Sequence, residues 1–222
     1  MKNNILLTFD DSPSVNFGEL IEFLEFNKIP AIFFCKGDLL VEQREEAKRA
    51  ISKGLTIANH AWNHNYFSSL SLTESLEEVR RTDTLICEIY KDCKIPDFPK
   101  FFRFPYGDRG DLRYGRPSIF HLFRSDRKSL LQFFKATLMS MTDPFKVRRK
   151  KKSQKINELL KTLRYSNVES DKRLDMSWTL DCGEWRYRDS FRTTSLDEIV
   201  DEIWLNFNST IKRNKKRNHV NS

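Results

Sequence analysis

The chain has 222 residues, of which 39% are hydrophobic and 32% are charged, and its formal net charge is +8. This composition is typical of a folded globular protein and excludes a disordered chain. No apolar run approaches the roughly 18–20 residues that span a bilayer, and the apolar run after Met1 is too short for the core of a signal peptide. We therefore expect a cytoplasmic protein with one domain over residues 1–222.

Short apolar runs alternate with amphipathic segments along the chain. The apolar runs predict buried strands at 5–9, 31–35, 55–58, 101–104 and 177–180. The periodic segments predict helices at 17–26 and 41–52, and two further helices that start at capping boxes beginning with Ser71 and Ser195. Strands that alternate with helices indicate an α/β fold with a parallel sheet and right-handed crossovers.

The stretch between the fourth and fifth predicted strands is unusually long. Residues 108–176 contain an apolar piece followed by the basic run 146–155, and we predict that they form an inserted basic helical segment. The basic run is expected to form a solvated helix face. The inserted segment is expected to pack against the barrel or a second subunit, with weak contact of 130–155 to an anionic membrane surface as the alternative. A second basic run predicts a disordered tail over 212–222. Neither run contains a nucleic-acid-binding motif, so no specific nucleic acid partner is expected.

Polar side chains stand where the predicted strands end. They are Asp10, Asp11, His60, Arg103 and Asp181. In parallel α/β folds the carboxyl ends of the strands form the functional face, so these side chains are predicted to converge on one site.

The histidines His60 and His64 and the carboxylates Asp10 and Asp11 are candidates for a metal site. If one helical turn joins His60 to His64, both imidazoles can reach one ion, whereas the alternative is a pair of surface histidines without a metal. Asp10 and Asp11 repel each other unless a cation or an arginine compensates them, and their alternative role is a helix cap or a turn.

Four segments taken together resemble the polysaccharide deacetylase family, also called the NodB-homology domain. Residues 8–13 (TFDDSP) are similar to the family motif TFDDGP, and residues 60–64 (HAWNH) are similar to its H-[ST]-x-x-H/D motif. Residues 103–107 (RFPYG) fit RxPxG, and residues 181–185 (DCGEW) resemble DxxDW. The motifs occur in the family's order.

The resemblance implies a distorted, open (β/α) barrel and a divalent metal, usually zinc. The implied metal ligands are Asp11, His60 and His64, which would leave an open coordination position as in catalytic zinc sites. Asp10 would act as the general base, and Arg103 would hold it ionised and oriented.

The resemblance also implies an N-acetylated carbohydrate as the substrate. The residues expected to contact it are Pro105, Tyr106, Asp181 and Trp185. The backbone N–H of Tyr106 would help to stabilise the oxyanion, and Trp185 would line the sugar groove, with a place in the core as its alternative.

The sequence departs from the family pattern at several positions. Ser12 replaces a glycine, Ala61 replaces a serine or threonine, and Glu184 stands where the family has an aspartate that supports the general acid. The family's fifth motif, Leu-x-His, supplies that acid, and none follows Phe207. His121 and His219 are weak substitutes for the histidine of this motif. Because no strand-like run follows Phe207 either, we expect the last strand of the barrel to be missing.

Three functions stay open on this basis. The first is an active N-deacetylase, and the second is a truncated or degenerate member that binds metal and glycan with little turnover. The third is a basic surface-binding module in which the metal site is structural.

Overall fold

The computed structural model describes residues 6–110 and 146–165, with the backbone alone at 146–150, and the two positions 201 and 205. The chain divides into two compact units, Met1–Ser177 and Trp178–Ser222. Positions 201 and 205 are the described residues of the second unit, and both are helical, as the second capping box predicts. The predicted domain boundaries stay predictions, and the predicted strand at 177–180 lies outside the described residues.

Three parallel strands form the sheet in the described part of the first unit. They are β1 (Leu7–Ser12), β2 (Ala31–Cys35) and β3 (Thr56–Asn59), in that order across the sheet. β2 lies in the middle and all five of its residues are buried, which explains its continuous apolar run. The sheet and its crossover helices confirm the predicted α/β class.

The fourth predicted strand, 101–104, is shorter in the structure than the sequence suggested. Phe102 forms an isolated parallel bridge to Asn59 at the end of β3, and the N–H of Arg103 donates to the Asn59 carbonyl at 3.0 Å. The chain then enters a 3-10 turn, Pro105–Gly107, whose proline has no N–H to extend a ladder. The bridge places this segment beside β3, but the prediction of a regular strand is wrong.

Five helices and a second 3-10 turn, Phe67–Ser69, complete the described part of this unit. The helices are α1 (Phe17–Phe26), α2 (Gly37–Glu42), α3 (Arg44–Ser52), α4 (Leu72–Asp92) and α5 (Lys146–Thr162). α1 has the predicted bounds, and the predicted capping box begins α4, with Ser71 and Glu74 bonded reciprocally. The single helix predicted at 41–52 is wrong, because Gln43 leaves helical geometry and separates α2 from α3.

The main core lies between the sheet and the helices α1 to α4. Its largest fully buried side chains include Phe17, Ile21, Phe33, Leu40 and Ile89. The apolar stripe of α1 supplies the first two, because residues three to four apart share one helix face.

Helix α5 belongs to the predicted insertion and packs on a second core. Ile156 and Leu160 are fully buried there against Phe67 and Phe102. The basic run at its start is not entirely solvated, because the ammonium of Lys152 donates to the carbonyls of Phe67 and Leu70. Burial lowers the pKa of Lys152 to about 8. None of the described helices is long and apolar enough to cross a bilayer.

Candidate metal centre

The two carboxylates at the end of β1 point to different partners. The strand register shifts between Phe9 and Ser12, so an irregular stretch contains both Asp10 and Asp11. Asp11 has a φ of 56°, which turns the backbone between the two side chains. Such irregularities re-aim side chains next to functional sites. Asp10 therefore meets Arg103, whereas Asp11 meets the histidines.

The loop after β3 places both histidines beside Asp11. The Asp11 Oδ1 atom lies 2.8 Å from His64 Nε2 and 3.6 Å from His60 Nε2. One ligand atom from each of the three residues lies within 4.8 Å of the others. The helical turn suggested for this segment is wrong, because Ala61 and His64 have φ values of 65° and 56°. An irregular loop, not a helix, brings the two rings together.

His60 is held in the protonation state that a metal ligand needs. Its Nδ1 lies 2.8 Å from the carbonyl oxygen of Arg103, so Nδ1 donates a hydrogen bond and the lone pair of Nε2 faces Asp11. Burial lowers the pKa of His60 to about 4, although the charges of Asp10 and Asp11 oppose this effect. The imidazole is therefore neutral at physiological pH.

The Asp11 carboxyl is anionic and open to solvent. Partial desolvation raises its pKa, but the hydrogen bond with His64 and the nearby imidazoles and Lys36 outweigh this, so that the pKa lies well below its usual range. The side chain remains 56% exposed. Two imidazole nitrogens and one carboxylate form a donor set that suits zinc, and the exposed side leaves room for a further ligand.

Asp10 is paired with a buried guanidinium and lies beside this donor set. Arg103 is only 6% exposed, donates to Asp10 and to Thr8 Oγ1 (3.0 Å), and stacks 4.0 Å above the ring of Phe34. Desolvation lowers the pKa of Arg103, opposed by the charge of Asp10. The side chain of Asp10 is 29% exposed, so it can meet a substrate or a water while Arg103 fixes its orientation.

The 3-10 turn after Arg103 adds an aromatic wall to the site. Pro105 is buried and starts the turn, and Tyr106 has a φ of 55°. The ring of Tyr106 lies 4.5 Å from the ring of His64 and stacks on Tyr66 at 3.8 Å with an interplanar angle of 7°. Tyr66 is not among the predicted site residues, although its position two residues after His64 was a usable signal.

Other predicted site residues lie outside the described residues. They are Asp181, Glu184 and Trp185, together with His121 and His219.

Comparisons with known proteins agree with these observations. A family model described as polysaccharide deacetylase matches residues 1–114. The peptidoglycan-N-acetylmuramic acid deacetylase PdaC of Bacillus subtilis is 31% identical over 110 residues, which are 48% of this chain and 22% of that protein. The chitin deacetylase of Amylomyces rouxii is 30% identical over 107 residues, which are 47% of this chain and 24% of that protein. The matched region thus spans less than a quarter of each of these relatives.

The fold can be compared with a solved structure over a longer part of the chain. The polysaccharide deacetylase Bc1974 from Bacillus cereus matches 94% of this chain and 74% of its own, with a TM-score of 0.54 and 21% identity. This likeness confirms the predicted (β/α) barrel type of fold.

Proposed function

Because the chain belongs to the polysaccharide deacetylase family, we propose that it hydrolyses the N-acetyl group of a carbohydrate or glycoconjugate at a divalent metal, most simply Zn²⁺. The observation that carries this proposal is the convergence of Asp11, His60 and His64, whose ligand atoms lie within 4.8 Å of one another. The names of the relatives, which are deacetylases of peptidoglycan and chitin, support an N-acetylated sugar as the substrate class.

The three convergent residues would hold the metal. His60 is neutral and oriented by the Arg103 carbonyl, and Asp11 supplies the negative charge. Lewis-acid polarisation of the scissile carbonyl is the chemistry that a metal supplies when bound there. The exposed side of Asp11 leaves the substrate a path to this position.

Asp10 is the proposed general base. It is the neighbour of Asp11 in the chain, it is not part of the ligand set, and its contact with Arg103 keeps it oriented. It would accept the proton of the attacking water as the carbonyl is attacked. The backbone N–H of Tyr106 is the proposed donor to the oxyanion, and the Tyr66–Tyr106 stack fixes the ring beside it.

The second candidate function depends on which group would protonate the leaving amine. The sequence has four histidines, and none of them lies in a Leu-x-His motif. Within these 222 residues no group is assigned as the general acid, so a member that binds metal and glycan with little turnover is the second candidate, because a general acid contributes about 10²–10⁴-fold to the rate. The roles of Asp181, Glu184 and Trp185 stay predictions.

The test measures metal content and acetate release from an N-acetylated chitooligosaccharide. We expect one Zn²⁺ per chain and release of acetate from the wild-type protein. Asp11→Ala should abolish both, whereas Asp97→Ala, which changes an exposed aspartate far along the sequence, should preserve both. Metal binding without acetate release would support the second candidate. If Asp11→Ala leaves the metal content unchanged, the proposed site is wrong.

A further inference from the structure

The loop that presents the two histidines has a backbone conformation that its own residues disfavour. This histidine loop, residues 60–65, contains Ala61 and His64 in the left-handed region, with φ values of 65° and 56°. Side chains with a Cβ disfavour that region, and such residues persist where the surrounding structure determines them. Something outside the loop must therefore hold it.

One side of the histidine loop is held by the start of α2 and by the end of β3. The carbonyls of Ala61 and Trp62 accept hydrogen bonds from the N–H groups of Gly37 (3.0 Å) and Asp38 (3.2 Å). The N–H of Ala61 donates to the side-chain oxygen of Asn59 at 2.8 Å. These bonds fix the first half of the loop. They do not involve the N–H groups of Trp62 and Asn63, which bind another partner.

A single carboxylate on α4 takes those N–H groups. Glu78 Oε2 accepts from the backbone N–H of Trp62 at 2.9 Å and from that of Asn63 at 2.7 Å. Glu78 Oε1 accepts from the side-chain amides of Asn63 (3.3 Å) and Asn65 (2.9 Å). Glu78 is only 7% exposed. Four donors between and beside the histidines thus converge on one buried side chain.

A second contact of the loop involves the same face of α4. The ring of Trp62 lies 3.7 Å from the guanidinium carbon of Arg81 and packs so closely over Gly37 that an added Cβ there would lie 2.2 Å from the ring. Arg81 lies three residues after Glu78, and Thr82, four residues after it, also borders the space at Gly37. Residues at these spacings share one helix face, so α4 holds both the main chain and the ring of the loop.

We propose that Glu78 is the positioning residue of the metal centre, which keeps the histidine loop in the conformation that aims His60 and His64 at Asp11. The inference rests on the proposed metal site and adds a residue that no family motif quoted above includes. The bonds of Glu78 run to Trp62, Asn63 and Asn65, so it acts on the imidazoles through the loop that carries them. Groups that orient metal ligands in this indirect way typically change metal affinity when they are replaced.

The test compares Glu78→Gln with Glu77→Gln in the full chain. Both substitutions replace a glutamate by its amide at adjacent positions of α4, but Glu77 is exposed. Glutamine keeps one acceptor and turns an N–H₂ group toward donors, so it disrupts the bonds without opening a cavity. The measurements are the affinity for Zn²⁺, the visible spectrum of bound Co²⁺, and amide hydrogen exchange over residues 61–65 of the metal-free protein.

We expect Glu78→Gln to weaken Zn²⁺ binding by about tenfold to a hundredfold, to change the Co²⁺ spectrum and to speed exchange at Trp62 and Asn63. Glu77→Gln should change none of these. Should Glu78→Gln prove insoluble, Asn65→Ala removes one of the four bonds and should give the same changes at a smaller size. Wild-type affinity in Glu78→Gln, with or without faster exchange, would overturn the inference.

The two proposals can fail separately. If the wild-type protein binds no metal, the proposed function fails, and hydrogen exchange in the metal-free protein alone decides the role of Glu78. Unchanged exchange in Glu78→Gln would then overturn that role, and faster exchange would support it. If the wild-type protein binds metal but releases no acetate, the affinity measurement still decides the role of Glu78.

Discussion

The buried histidine of the site makes the stability of the metal-free protein depend on pH. Burial lowers the pKa of His60 from an ordinary 6.5 to about 4, so between these values the unfolded chain binds a proton that the folded chain does not bind. The neutral His60 therefore makes its full contribution to the free energy of unfolding above pH 6.5, and this contribution is lost as the pH falls toward 4. Because one pKa unit corresponds to about 1.4 kcal/mol, the free energy of unfolding should fall by about 2 kcal/mol between pH 7 and pH 4.5.

The assay is urea unfolding at pH 7 and pH 4.5 in the presence of a chelator, for the wild-type protein and for His60→Gln. Glutamine cannot be protonated, but its amide can still donate to the Arg103 carbonyl. The loss on acidification should therefore be about 2 kcal/mol smaller in the variant. The lowered pKa of Asp11 does not interfere, because its contribution is lost only as the pH falls below 3.8. If both proteins lose the same unfolding free energy on acidification, the assignment of His60 as neutral and buried is wrong.

Three further predictions concern the site and its support. Asp10→Asn should keep Zn²⁺ binding and reduce acetate release by about 10²–10⁴-fold, because the amide cannot accept the proton; wild-type rates would show that another group is the base. Gly37→Ala should lower the unfolding free energy by about 1–3 kcal/mol and weaken Zn²⁺ binding, because the new Cβ would lie 2.2 Å from Trp62 and 2.6 Å from Thr82. Calorimetry with metal titration measures both effects. Leu160→Ala should cost about 2–5 kcal/mol in urea unfolding, and a loss below 1 kcal/mol would contradict the packing of α5 on the core.

The elements that local patterns determine were predictable from the sequence. α1 shows its apolar stripe at helical spacing, and the reciprocal bonds of Ser71 and Glu74 depend on residues only three apart. β2 was predictable for a different reason, since a strand buried on both faces has no polar alternation. The break at Gln43 was not predictable, because the residues on either side of it are all compatible with one continuous helix.

The convergence of three predicted side chains could be anticipated from the sequence, but the backbone geometry that produces it could not. The resemblance to the family named Asp11, His60 and His64 as ligands, and the structure brings these three side chains together. The backbone that does so was not predicted, since an HxxxH spacing suits a helix and the actual loop uses left-handed residues. Glu78 carried no signal in the sequence, because a glutamate on an amphipathic helix is ordinarily solvated.

Support for the histidine loop also comes from residues far along the chain. The hydroxyl of Tyr165, just after α5, accepts from the side-chain amide of Asn59 and donates to Asp83 on α4, both at 2.8 Å. The side-chain oxygen of Asn59 in turn accepts the N–H of Ala61, between the two histidines. The segment predicted only as a basic insertion is therefore linked to the loop through hydrogen bonds of Asn59. Because Tyr165 and Asn59 are 106 residues apart, no local sequence pattern could predict this contact, and the residues that support the candidate site can lie outside every motif that identifies it.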